Sequence, residues 1–415
     1  MPLYSHLYTA TPYSNPINYA KEYPPETLFR KVALFQNTLH QVLYAFLNGE
    51  DLHRVSWILY PFWDRPQQKY LHDCLCEQAQ ALELPADTLA TLRAYDSTTS
   101  KGIAGMLATG YKALGTIVPP SAPSMTLKAE IPFKKENYLR GGMRAVVRLK
   151  AFVEQHCAED LLGFYIHGSM ATLDTAPGSS DLDTLAIIRA EVLESPDRLL
   201  ALRHKTYLAT RYLYQADLLQ HHGHFILAEH DLTFYPQSYF PFILFQYAMP
   251  LLENPELHFS ERDCRLERAH DLWRTCRHLM EASVHPFDFR DDYRRKYFLQ
   301  ILLLLPAIYL QLDGRYTYKR DAFERCRKEI PENLWQIVDK ASHMRITSTW
   351  QPWQRLLMRL TPGPNPRWVW LANRLLTKRG PTLSKDSLHL AERLADHILE
   401  KNRKYIDALA QQIPW

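Results

Sequence analysis

Cysteine is scarce: six residues, at positions 74, 76, 157, 264, 276 and 326, in a chain of 415. That is too few for the disulfide framework that staples small secreted domains, and reduced thiols are expected. Cys74 and Cys76 lie in a segment that reads as helix, where residues two apart point in different directions, so packing is expected there rather than a metal or redox pair. Long apolar runs are also missing. The longest, Ile301 to Leu310, contains Pro306 and is about half of the roughly 20 residues that cross a bilayer. The opening stretch MPLYSHLYTATPYSNPINYAKEY has neither the basic start nor the continuous apolar segment of a signal peptide. No membrane association and a cytoplasmic location are the expectation. Charge of one sign is in short supply as well: the net charge is +4 and the pI about 8.6. Local basic surfaces are permitted, but a wholly polyanion-binding protein is not indicated.

Apolar residues make up 46% and charged residues 23% of the chain, the balance of a globular protein. Its length exceeds the usual single hydrophobic core, so two or three domains are expected. The first twenty or so residues, rich in Pro, Tyr, Ser and Asn, read as an extended arm. From Pro24 to about Gly115 successive helices are predicted, with helical spacing in Leu28, Val32, Leu34, Phe35, Leu39, Val42, Leu43 and Phe46. The Pro-rich and then basic stretch Val118 to Asn137 breaks this pattern, and a domain boundary is placed there. A helix over Arg140 to Glu154 then leads into the short apolar run Leu161 to Ile166, which suits a buried strand. Further strands are predicted over Asp181 to Ile188 and Ala216 to Leu227, with a helix from Ser195 to Gln215 between them. Beyond Phe240 helical spacing returns, in Asp263 to Ala282, Tyr293 to Leu312, Lys319 to Lys328 and Leu383 to Leu409.

The passage that carries chemistry is Phe164 to Arg189, FYIHGSMATLDTAPGSSDLDTLAIIR. A strand ends at Gly168-Ser169 and another begins with Asp181-Leu182-Asp183. Side chains alternate along a strand, so Asp181 and Asp183 share a face. Two carboxylates held this close repel, and a proton or a cation is needed to keep both in place. Mg²⁺ suits them, because it prefers oxygen ligands, retained waters and substrate phosphates. Gly168 would let backbone approach a phosphate, and Ser169 offers a hydroxyl and a backbone N–H at a helix start. A tight Gly-Ser turn followed by an ordinary strand is the bland alternative.

The arrangement resembles the signature of the nucleotidyltransferases of the DNA polymerase beta type: an apolar strand, Gly-Ser, a short helix and loop, then Asp-x-Asp opening the next strand. The resemblance covers roughly Arg140 to Glu253, with Gly168, Ser169, Asp181 and Asp183 in matching positions and Ser179-Ser180 in the turn before the acidic pair. It implies an α+β chain in which a small mixed β-sheet nucleotidyltransferase core, residues 136–255, is flanked by an N-terminal arm and helical domain, 1–135, and a C-terminal helical domain, 256–415. It also implies transfer of a nucleoside monophosphate from a nucleoside triphosphate such as ATP to an acceptor hydroxyl on RNA, protein or a small molecule, with pyrophosphate released. Two Mg²⁺ ions are expected, Mn²⁺ being a possible substitute, with Asp181 and Asp183 as ligands and Gly168, Ser169 and Ser180 beside the nucleotide.

The family's third carboxylate, which holds metal and can help deprotonate the acceptor, is assigned to Asp217, with Asp231 as the competing choice. Lys319 or Arg320, in Gly314-Arg315-Tyr316-Thr317-Tyr318-Lys319-Arg320, could neutralise phosphate charge or simply form a solvated basic helix end. His221, His222 and His224 could pack, touch substrate, or bind zinc, for which no clear fourth ligand is seen. Two stretches, Tyr293 to Tyr297 and Trp350 to Arg379, mix cations with aromatics in a way that suits either core packing or stacked RNA bases. A non-catalytic nucleotide sensor or RNA-binding protein is therefore the alternative class.

Overall fold

The computed structural model describes residues 27–48, 65–140, 143–176, 180–217, 220, 222–284, 292–347, 356, 383–404 and 407. The chain opens with helices α1 (Leu28–Asn48), α2 (Arg65–Ala81), α3 (Ala86–Ala94) and α4 (Ser100–Thr116), followed by strand β1 (Ser124–Leu127) and helix α5 (Arg144–His156). Strands β2 (Leu161–His167) and β3 (Asp183–Ile188) follow, joined through a single helical turn at Ser169–Thr172. Helix α6 (Pro196–Ala216) leads to β4 (Phe225–Ala228), β5 (Tyr235–Pro236), β6 (Met249–Pro250) and β7 (Leu257–Arg262). The remainder is helical: α7 (Arg265–Val284), α8 (Asp292–Leu312), α9 (Lys319–Arg327), α10 (Glu332–Thr347) and α11 (Lys385–Lys401). The fold is thus α+β, with two small mixed sheets among many helices.

The larger sheet has the order β4-β3-β2-β6, with β3 parallel to β4 and antiparallel to β2. Helix α6 makes the crossover that a parallel β3/β4 pair requires. It starts where expected: the Ser195 side chain accepts the Arg198 N–H at 3.4 Å, and Pro196 occupies the first turn. Its end is different. Asp217 does not open a strand but caps the helix, its N–H bonded to Leu213 O at 2.9 Å, and β4 begins only at Phe225. Helix α6 runs one residue beyond the expected limit, to Ala216, and just four residues, Phe225 to Ala228, find edge pairing against β3.

The predicted break at 118–137 holds more structure than expected, since β1 pairs antiparallel with β7 in a second sheet of order β1-β7-β5. One apolar core joins the N-terminal helices to the sheets, running from Val32, Phe35, Leu39 and Phe46 of α1 to Ile187 of β3, Leu213 of α6 and Phe259 of β7. Helix α1 is covered on nearly every side, which explains why it also buries Gln36, Asn37 and His40. A second core lies among α7 to α11, around Leu272, Leu302, Trp335 and Leu394. Helix α8 passes through Pro306 without ending, because burial of Leu302, Leu303, Leu305 and Leu310 outweighs the lost backbone bond. The six cysteines are free. Among the described residues no helix is long and apolar enough to cross a membrane.

Candidate metal and nucleotide site

Strand register brings the Gly-Ser turn to the acidic pair. His167, the last residue of β2, is opposite Asp183, the first of β3, so Gly168 leaves the sheet directly beside the Asp183 carboxylate. Gly168 has φ +67° and ψ −156°, a backbone conformation essentially reserved for glycine. A Cβ added there would lie 2.6 Å from Asp183 Oδ2. Its carbonyl accepts the N–H groups of Ala171 and Thr172 at 3.1 and 3.2 Å, which closes the turn that begins at Ser169. Replacing Gly168 with Ala is expected to destabilise the chain by about 1–3 kcal/mol from backbone strain and to displace Asp183. Chemical denaturation of the variant would measure the first effect and cation binding the second.

Ser180, just ahead of the acidic pair, is tied into a local loop: its hydroxyl accepts the Ala176 N–H at 2.8 Å, and its own N–H donates to Ala176 O at 3.0 Å. Ser179 lies outside the described residues. Asp181 and Asp217 meet at the Lys296 ammonium, which donates to Asp181 Oδ1 and to Asp217 Oδ2, while Gln300 Nε2 donates to Asp181 Oδ2. Asp183 pairs with His222, Nε2 to Oδ1 at 2.9 Å. Asp181, Asp183 and His222 each offer a ligand atom within 4.8 Å of the others and could together hold a metal ion.

Charge explains the arrangement. Burial raises the Asp217 carboxyl above the usual carboxylate range, the Lys296 charge opposes that rise, and the Asp181 charge adds to it. Burial would deprotonate Lys296, but the Asp181 and Asp217 carboxylates outweigh it and hold the ammonium protonated. At His222 burial favours the neutral ring, yet the hydrogen bond and charge of Asp183, with the charge of Asp181, push its pKa up to about 9. A bound divalent cation would replace that proton. The donor set of carboxylates plus one imidazole fits Mg²⁺ through its oxygens and Mn²⁺ through all three groups.

The helical second core closes over this edge. Tyr318 OH is 3.2 Å from Thr172 Oγ1, and its ring stacks on Tyr247 at 4.1 Å. Lys319, half-buried at the start of α9, feels Arg345 as well as Asp183, Asp181 and Asp174. Burial, and then the Arg345 charge, lower its pKa to about 7 against the pull of the three carboxylates. Arg345 Nη2 reaches Ser180 Oγ at 3.5 Å. Arg320, the other expected cation, is exposed and pairs with Asp321 at 3.5 Å.

Asp217 and Asp231 end in different places. Asp231 accepts from Gln36 Nε2 at 3.1 Å and the Ala228 N–H at 3.0 Å, and pairs with His40 Nδ1 at 3.1 Å, so it fastens α1 to the end of β4. His224 also packs internally, Nδ1 2.7 Å from Thr184 Oγ1, and burial lowers its pKa to about 3. His221 lies outside the described residues, so His222 is the member of that histidine run found with the carboxylates. Trp350 to Arg379, Leu356 apart, also lies outside them, as do the side chains of Tyr293, Arg294 and Tyr297.

Lys296, Gln300 and Arg345 were not singled out by sequence reasoning. Lys296 was read only as part of a basic aromatic stretch. A usable signal was present: Lys296 and Gln300 are four apart and so share one face of a helix whose next residues are almost all apolar. No family model, curated protein or solved structure matches this chain.

Proposed function

We propose that the chain is a divalent-cation-dependent nucleotidyltransferase that moves a nucleoside monophosphate from a nucleoside triphosphate to an acceptor hydroxyl and releases pyrophosphate. The observation that carries this reading is that Asp181 and Asp183, beside the positive-φ turn at Gly168, are joined by Asp217 from a second stretch of the chain, which shares the Lys296 ammonium with Asp181. Asp181 and Asp183 hold the cation, with His222 completing the set. When bound, Mg²⁺ or Mn²⁺ supplies the charge that polarises the α-phosphate and lowers the proton affinity of the acceptor. Gly168 keeps side-chain bulk away from the phosphates, and Ser169 and Ser180 offer hydroxyls to them. Lys319 and Arg345 provide positive charge from the opposite wall for the departing pyrophosphate. Asp217 completes the acidic set and keeps Lys296 in place.

Labelled acceptor would be sought by incubating the protein with Mg²⁺, each α-labelled nucleoside triphosphate and cell extract. Label on RNA, protein or a small molecule with wild type, and none with Asp181→Ala, Asp183→Ala, is the expected result and names the acceptor class. A nucleotide sensor without turnover is the second reading. The complete burial of Asp217 beneath Lys296 favours it, because an acceptor hydroxyl must reach the centre from the Asp183 side. Nucleotide binding with no label transferred to any acceptor would select it.

A further inference from the structure

We infer that this centre takes one divalent cation, on the side of Asp181, Asp183 and His222, and that the Lys296 ammonium fills the place of a second cation between Asp181 and Asp217. The inference rests on the nucleotidyl-transfer reading and narrows it from two ions to one. Asp181 is the shared residue. One of its oxygens accepts from Lys296 and the other from Gln300, and it also offers a ligand atom within 4.8 Å of those of Asp183 and His222. The two sides differ in access. Side-chain exposure is 25% at Asp183 and 14% at His222, against 4% at Asp181, 0% at Asp217 and 5% at Lys296. A hydrated ion with its bound phosphate can enter on the Asp183 side, whereas the Asp217 side is already filled by a protein cation.

A divalent ion on the Asp217 side would have to expel Lys296, leaving the ammonium buried without those carboxylates, at the high cost of an unpaired internal charge. Lys296 is anchored against this, since it and Gln300 occupy one face of α8 in the second core. Lys296 is accordingly a positioning residue: it acts through Asp181, holding that carboxylate oriented for the one exchangeable ion.

The test counts Mn²⁺ bound per chain, from the spin-resonance signal of free Mn²⁺ during titration of the full-length protein. Wild type and Lys296→Arg are expected to bind one ion, Lys296→Met two, and the double variant Lys296→Met, Asp217→Asn one again. If Lys296→Met fails to fold, the wild-type count still decides between one ion and two, and the double variant, which removes both charges and avoids an uncompensated buried carboxylate, overturns the inference if it binds two. Two ions in wild type, or one ion in folded Lys296→Met, would overturn the inference while leaving the transfer reading intact. No Mn²⁺ bound by wild type would overturn both.

Discussion

Asp183→Asn is expected to lower nucleotidyl transfer by at least on the order of 10³-fold, the scale on which loss of a charge-stabilising group acts in this chemistry. The physical reason is local. Asp183 is the most open of the three carboxylates, it holds His222 at 2.9 Å, and Gly168 lies against its other oxygen. Asn keeps the shape but removes the negative charge that a divalent ion requires. The side chain is partly exposed at the start of β3, so the fold should survive, and circular dichroism with thermal melting would establish that the loss is chemical. Wild-type rates in the folded variant would remove Asp183 from the centre.

Asp231→Ala should do the opposite: destabilise strongly and leave transfer per folded molecule unchanged. Its carboxylate serves Gln36, His40 and the Ala228 N–H in a fully buried setting. Truncation strands those groups without their acceptor, at a cost of roughly 3–5 kcal/mol. Urea unfolding measures the stability, and initial rates below the transition measure the transfer. A stable but inactive Asp231→Ala would reverse the assignment of the third carboxylate from Asp217 to Asp231.

Local chemistry in the chain was legible wherever periodicity or a cap was strong. Ser195-Pro196 announced α6, the run from Leu161 announced β2, and Gly168 with Asp181 and Asp183 announced the edge at which they meet. Asp217 was expected to open a strand and instead ends α6, where it shares Lys296 with Asp181, because four residues of β4 carry too little pattern to distinguish a strand from the end of a helix. The Asp231 alternative shows the same limit: an aspartate beside a histidine reads alike whether it binds metal or anchors a helix 191 residues away in sequence. Lys296 was obscured by its own neighbours, since Arg294, Arg295 and two tyrosines make it look like surface charge. What brings it to Asp181 is the packing of the second core, which no local window contains.

The most direct measurement compares α-labelled with γ-labelled nucleoside triphosphate in parallel reactions containing Mg²⁺ and the responsive acceptor. Transfer at Asp181 and Asp183 predicts α-label on the acceptor and γ-label in pyrophosphate, both lost in Asp183→Asn. γ-Label on the acceptor, or transfer that persists in Asp183→Asn, would contradict it.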